Sequence, residues 1–261
     1  MWQIILTFII LASTVRKTMD YPVITVLYDN TVYNQDSLVA DWGFSCLIEG
    51  YEKNILFDTG GNGEILLSNM QHLGVDPKKI DIVFLSHRHW DHIGGLEGLL
   101  AENSDVEVHI LPSLPKDVKN TVRRAGAKLV ESKEPKEIIP GVFSTGKMGK
   151  FIPEQSLVLS TPSGNIVITG CAHPGVVNIT EKAKENFGEI LFVMGGFHLM
   201  SKTEGQLVKI IKQMKELGVQ YVAPSHCSGA SAERLFERDF GKKFIRLGVG
   251  RKIDTKNLAE Q

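Results

Sequence analysis

The stretch Ile82-Val83-Phe84-Leu85-Ser86-His87-Arg88-His89-Trp90-Asp91-His92-Ile93-Gly94-Gly95-Leu96 constrains this chain more than any other. An apolar run of strand character leads into a loop where four potential metal ligands, His87, His89, Asp91 and His92, occupy six positions, and a helix pattern starts directly after. Such a strand belongs inside a covered sheet, and loops at sheet ends commonly carry binding residues. Residues two apart in extended backbone project to the same side. His87 and His89 are therefore expected to hold one ion, while Asp91 and His92 lie further round the turn and face a second. Imidazole mixed with carboxylate suits zinc, with iron or manganese as alternatives. One or two divalent transition-metal ions are the expected cofactor. Arg88 and Trp90 read as positioning or packing residues, and Gly94-Gly95 as the tight turn before the helix.

From Val23 onward, short β-branched and apolar runs alternate with helical patterns, with no long linker or repeat between them. The strand candidates are 24–28, 44–49, 54–57, 82–85, 106–111, 156–161, 165–169, 190–194 and 221–223. The pairs 44–49/54–57 and 156–161/165–169 are joined by short turn-forming segments and read as hairpins, which a purely parallel doubly wound sheet would not contain. Helix candidates are 64–73, 96–102, 116–125, 176–186, 204–217 and 232–240, with Gly74 and Gly218 at C-cap positions. This pattern predicts an α/β fold, two sheets packed face to face and covered by helices on both sides, in a single domain over residues 23–261.

The balance of 29 Lys+Arg against 30 Asp+Glu leaves a formal net charge of −1. No broad basic field is available for nucleic acid, so none is expected as a partner. Cys46, Cys171 and Cys227 are an odd number at no staple-like spacing, which reads as free thiols in a reducing, cytoplasmic setting. Residues 1–22 form an apolar extension that is too short to span a bilayer comfortably and carries its charge after the apolar run, not before it. Three readings stay open for it: a weak signal or anchor, an added element packed on the domain, or sequence upstream of a start at Met19. The last two are preferred, and no stable membrane association is expected.

His-x-His-x-Asp-His after an apolar strand resembles the metallo-β-lactamase superfamily, and the likeness runs from about Val23 to about Val249. It implies a four-layer αββα sandwich. It also implies roles at other landmarks. Asp58, in Phe57-Asp58-Thr59-Gly60, matches the strand-end Asp that supports the metal loop without being a ligand. His173, in Gly170-Cys171-Ala172-His173-Pro174-Gly175, matches the third ligand of the first metal, and His226, in Pro224-Ser225-His226-Cys227, the last histidine of the second. Cys171 and Cys227 lie two residues before and one after these histidines, which leaves a metal or redox role open, and small buried fillers are the preferred reading. His72 and His109 fall in a helix and a strand pattern and read as structural or surface residues.

Most two-metal members supply a bridging Asp from the stretch between those two histidines, and here no Asp lies between His173 and His226. His198, in Gly195-Gly196-Phe197-His198, is the substitute the sequence offers. An imidazole has one free lone pair where a carboxylate has two oxygens, so the second site is expected to be the weaker. A narrower likeness, carried by Leu27-Tyr28-Asp29-Asn30, Gly43-Phe44-Ser45-Cys46 and the Gly-Cys-Ala-His-Pro-Gly and Gly-Gly-Phe-His-Leu runs, is to the dihydropteroate-synthase-like subfamily. It includes an archaeal enzyme joining a dihydropterin to an aminobenzene ribofuranosyl phosphate. The expected function is hydrolysis of a small anionic, phosphoester-like substrate, with metal ligands His87, His89, Asp91, His92, His173 and His226 and catalytic residues Asp91 and His198. The alternative is the pterin transferase. Lys147 and Lys150 read as exposed loop residues that could also contact phosphate.

Overall fold

The computed structural model describes residues 21–34 and 37–259. Most of the apolar extension assigned to residues 1–22 lies outside them. In chain order the elements are β1 (Val23–Tyr28), β2 (Ser45–Glu49), β3 (Ile55–Phe57), α1 (Gly63–His72), β4 (Ile82–Phe84), α2 (Trp90–Ile93), α3 (Leu96–Glu102), β5 (Glu107–Ile110), α4 (Lys116–Ala125) and β6 (Lys128–Glu131). They continue with β7 (Lys136–Ile139), β8 (Val142–Ser144), β9 (Leu157–Thr161), β10 (Gly164–Thr169), α5 (Val176–Phe187), β11 (Ile190–Gly196), α6 (Glu204–Glu216), β12 (Tyr221–Ser225), α7 (Ala230–Phe240), β13 (Lys252–Asp254) and α8 (Lys256–Ala259).

One sheet has the order β13-β1-β2-β3-β4-β5-β6 and the other β12-β11-β10-β9-β8-β7. Alternation along each strand sorts the side chains into layers. Ile55, Phe57, Ile82 and Phe84 face Leu157, Leu159, Ile166 and Ile168 of the other sheet in the central core. Leu56 and Val83 point the opposite way, to Leu66, Leu99 and Val122 of α1, α3 and α4. Val158, Val167 and Val193 likewise meet Ile179, Leu207 and Phe236 of α5, α6 and α7. These three cores separate four layers, αββα. Full burial of a Leu, Ile or Phe is worth about 1.5–3 kcal/mol, so a register slip that turned one strand over would be strongly disfavoured.

Both expected hairpins form, β2 with β3 and β9 with β10, each antiparallel. The sequence reading missed β6, β7, β8 and β13. Three of these are sheet edges, and all three carry Lys or Glu: Lys-Leu-Val-Glu, Lys-Glu-Ile-Ile and Lys-Ile-Asp. Charged, short edge strands resist pairing with other chains, and the same feature removes the apolar run by which a strand is recognised. Gly94 and Gly95 also serve a different purpose from the one expected. Their φ angles, −65° and −81°, suit any residue. What they permit is close packing, because a Cβ on Gly94 would lie 2.2 Å from the Gly61 oxygen and one on Gly95 2.1 Å from that of Thr59.

The strands β3, β4 and β5 run parallel in one sheet, and β10, β11 and β12 in the other. Asp58 follows β3, Ser86 to His92 follow β4, Cys171 to His173 follow β10, His198 follows β11 and His226 follows β12. Every candidate residue therefore leaves the carboxyl end of a parallel strand, where open α/β sheets commonly bind ligands.

Candidate metal centre

Two groups of donors face one another between the sheet ends. His87, His89 and His173 form one, and Asp91, His92, Cys171 and His226 the other; within each group the ligating atoms all lie within 4.8 Å of one another. His87 and His92 bring the groups together, their ring centroids being 4.2 Å apart. All six residues proposed as ligands from the sequence thus meet at one place. His72 and His109 lie elsewhere, His72 bonded to the Ser68 carbonyl and His109 to Glu107.

Four imidazoles have Nδ1 tied to an oxygen: His87 to Ser86 Oγ at 2.9 Å, His92 to Asp58 Oδ2 at 2.7 Å, His173 to Glu154 Oε2 at 2.9 Å and His226 to Asn30 Oδ1 at 3.0 Å. The Ser86 hydroxyl donates to Asp58 at 2.7 Å, so its lone pair is free to accept from His87. Fixing the proton on Nδ1 leaves Nε2 with a lone pair for a metal, the arrangement ligating histidines usually show. The Nε2 atoms of His87 and His226 are buried and without a hydrogen-bond partner. That of His226 lies 3.2 Å from Asp91 Oδ2, yet outside hydrogen-bond geometry. Two ligating atoms aimed at a shared point, not at each other, give this geometry. The residues present fit one or two divalent transition-metal ions.

Charge is distributed to match. Burial, aided by neighbouring imidazoles, pulls His87 and His92 down to about 3, so both are neutral donors at physiological pH. Burial alone would raise Asp91, but contact with His226 and with His92 holds it below the ordinary carboxylate range. Burial pushes Asp58 up to about 7 against the opposing influence of His87 and of hydrogen bonds from Ser86.

Glu154, which the sequence reading passed over, is as central as Asp58. It is buried, and it accepts from the backbone N–H groups of Cys171, Ala172 and His173 at 2.9, 2.8 and 2.9 Å as well as from His173 Nδ1. Burial opposes its charge, yet the side-chain and backbone hydrogen bonds from His173 help hold it below the ordinary carboxylate range. The three successive N–H groups converge because Ala172 has φ of +56°, a backbone nest of the type that binds anions. Its sequence signal was weak: a single Glu four residues beyond Lys150, in a segment that reads as a Gly/Lys surface loop. Asn30 was legible only as part of the Leu-Tyr-Asp-Asn run.

Among the described residues, four that are not glycine have left-handed φ: Asp58, Ala172, His198 and His226, at +52°, +56°, +54° and +52°. All four stand in or beside the centre. Each such conformation costs about 1–3 kcal/mol, and clustering of this kind marks functional sites. Space is equally specified, since a Cβ on Gly170 would come 2.2 Å from Ser86 Oγ and break the Asp58 network.

His198 is placed at the edge. Its ring is 4.6 Å from that of His173, and its donor atoms group with Cys171 and Cys227, not with Asp91, His92 and His226. It lines a cavity of about 220 Å³ with His173 and Lys202. On the other flank a cavity of about 280 Å³ is lined by Asp29, Trp42, His226 and Arg246. Trp42 (39% exposed), Trp90 (60%), Phe151 (87%) and Met200 (62%) are exposed large apolar side chains on segments that carry or adjoin the site.

Comparison with known proteins agrees with this architecture. The chain is 31% identical, over 92% of its length and 98% of the relative's, to the 7,8-dihydropterin-6-methyl-4-(beta-D-ribofuranosyl)-aminobenzene-5'-phosphate synthase of Methanocaldococcus jannaschii. A crystal structure described as a metal-dependent hydrolase of the β-lactamase superfamily superposes with a TM-score of 0.74 at 31% identity, covering 89% of this chain and 98% of the other. A metallo-β-lactamase fold protein of Bacillus subtilis, 14% identical, shares the fold with a TM-score of 0.67 over 90% of this chain and 99% of its own. The sequence profile of the metallo-beta-lactamase superfamily matches residues 43–226, and with strand-end ligands and four layers already in place, the chain belongs to that superfamily.

Proposed function

We propose that this protein is a metal-dependent hydrolase of a small anionic, phosphoester-like substrate. The observation that carries the reading is the set of four Nδ1-anchored imidazoles beside an ionised Asp91. When bound, divalent metal supplies Lewis acidity and a water of lowered pKa. His87, His89 and His173 would hold one ion, and Asp91, His92 and His226 the other. The chain's own groups do the rest. Asp91 orients the nucleophile through its free carboxylate oxygen, and His198 with Lys202 lines the cavity in which an anionic group would lie. Neutral imidazoles leave the centre positive, which favours anions.

A second reading, a transferase joining a dihydropterin to an aminobenzene ribofuranosyl phosphate, draws support from the synthase relative matched over nearly its full length. The exposed rings of Trp42 and Trp90 suit a flat heteroaromatic substrate. In that reading the same groups bind a departing pyrophosphate. The two are separated by assaying metal-loaded protein on phosphoester, lactone and thioester substrates and, separately, on a dihydropterin pyrophosphate with ribofuranosylaminobenzene phosphate. Chelator-sensitive phosphoester turnover supports the hydrolase, and pyrophosphate release only when both pterin and aminobenzene partners are present supports the transferase. Full transition-metal retention in His173→Ala, measured by elemental analysis, would overturn the metal centre common to both.

A further inference from the structure

The second group of donors lacks the bridging carboxylate expected of it, yet it contains a fourth ligating atom that is not a histidine. Cys171 is 3% exposed, and its Sγ lies 3.2 Å from His92 Nε2. We propose that Cys171 supplies a thiolate ligand to the second metal, completing a set of Asp91, His92, Cys171 and His226. This rests on the metal-centre reading above.

The three separations within the set come within about 0.1 Å of those a tetrahedral ion sets. With metal–nitrogen and metal–oxygen bonds near 2.0–2.2 Å and a metal–sulfur bond near 2.3 Å, tetrahedral ligand atoms stand about 3.3–3.6 Å apart. The observed separations are 3.2 Å for Cys171 Sγ to His92 Nε2, 3.7 Å for His92 Nε2 to Asp91 Oδ2 and 3.2 Å for His226 Nε2 to Asp91 Oδ2. In the metal-free chain the Cys171 thiol and His92 Nε2 are within hydrogen-bond distance, and replacing that proton with an ion keeps both atoms where they stand. The buried, unpartnered Nε2 of His226 is a second and independent mark of the same point.

The protein also holds Cys171 in place. Its backbone N–H is bonded to Glu154, and the next residue, Ala172, adopts the left-handed conformation that turns the chain toward His173. One short segment thereby serves both ions, His173 the first and Cys171 the second. Cys227 differs, since its donor atom groups with His198 and Cys171 but not with Asp91, His92 or His226. Binding breaks the Cys171 S–H bond, forms a sulfur–metal bond and releases the proton to water. A thiolate and a carboxylate together neutralise a divalent ion and select thiophilic metals such as zinc, cobalt or iron over magnesium. The second site is then not the weaker one that an imidazole in place of the missing Asp would make.

Cobalt(II) is the probe. Full-length protein, stripped of metal and kept reduced so that Cys171 and Cys227 remain thiols, is loaded with two equivalents of cobalt(II). Bound cobalt is then counted by elemental analysis after gel filtration. The expected result is two retained equivalents and an intense near-ultraviolet sulfur-to-cobalt charge-transfer band, which Cys227→Ser keeps. In Cys171→Ser the band disappears and the second equivalent is retained at least tenfold less tightly, while the first equivalent and the circular dichroism are unchanged. Wild-type protein that binds cobalt without the band, or a band lost in Cys227→Ser and kept in Cys171→Ser, would overturn the assignment while leaving the metal centre standing. Failure of wild-type protein to retain any cobalt would overturn both.

Discussion

Two buried carboxylates orient the centre, one from each sheet, and they hold different things. Asp58 follows β3 and grips the segment that follows the neighbouring strand β4: the Ser86 N–H and hydroxyl and the His92 ring. Glu154 reaches from the segment before β9 to the loop after β10, and three of its four hydrogen bonds go to backbone N–H groups. The Asp58 side is a network of side chains on a backbone already fixed by sheet pairing. On the Glu154 side, the carboxylate fixes the backbone itself. The first should tune the metal, and the second should decide whether its loop exists.

The largest effect is therefore expected at Glu154. In Glu154→Ala three buried N–H groups and His173 Nδ1 lose their acceptor, at about 1–3 kcal/mol for each group left unpaired. Stability in urea should fall by about 3 kcal/mol or more, and the ion of the His87, His89 and His173 group should be lost. An unfolding midpoint unchanged from wild type would show that Glu154 does not organise the loop.

Acid probes the opposite side. His87 and His92 are held at about 3 in the folded chain, below the ordinary value of 6.5. Below 6.5 the unfolded chain binds protons that the folded one refuses, so this contribution is complete above about 6.5 and is lost as pH falls toward 3. Metal-free protein should lose stability across that window by roughly 1.4 kcal/mol per pH unit for each histidine. A thermal midpoint that stays flat from pH 6.5 to 4 would mean that these rings are not buried as neutral bases.

A smaller effect is expected at Asp58. Asp58→Asn keeps the size of the side chain but weakens its hold on His92, and loss of such an outer partner typically costs about 10–100-fold in metal affinity. Competition with a chromophoric chelator measures this, and an affinity equal to wild type would place Asp58 outside the control of the metal. The smallest change belongs to the edge of the site. His198→Ala should lower kcat/KM by about tenfold, the equivalent of one hydrogen bond in the transition state, while both ions stay bound. Activity equal to wild type would leave His198 as a packed strand-end residue.

How much was legible follows from the same contrast. His87, His89, Asp91 and His92 were readable because they crowd six positions behind an apolar strand, and local density survives in a linear text. His173 and His226 were found through the resemblance of their surroundings, each just past an apolar run. The contacts of Glu154 and Asn30 were not legible, because each acts on a partner far along the chain: Asn30 meets His226, and Glu154 meets His173 across the β9–β10 hairpin. Edge strands β6, β7 and β13 escaped for a different reason, since the charges that keep an edge from pairing also hide it.

The sequence by itself determined the alternation of strands and helices, the two hairpins and the ligand-dense loop after β4, because periodicity and turn chemistry act over a few residues at a time. Tertiary structure decided which Nδ1 meets which oxygen, that Cys171 and not His198 sits among Asp91, His92 and His226, and that a lone Glu in a surface-like loop is buried beneath the site. Those outcomes depend on the pairing of β10 with β11 and of β11 with β12, and on two sheets meeting at their strand ends. Such contacts form only once distant segments have packed, and no local pattern specifies them.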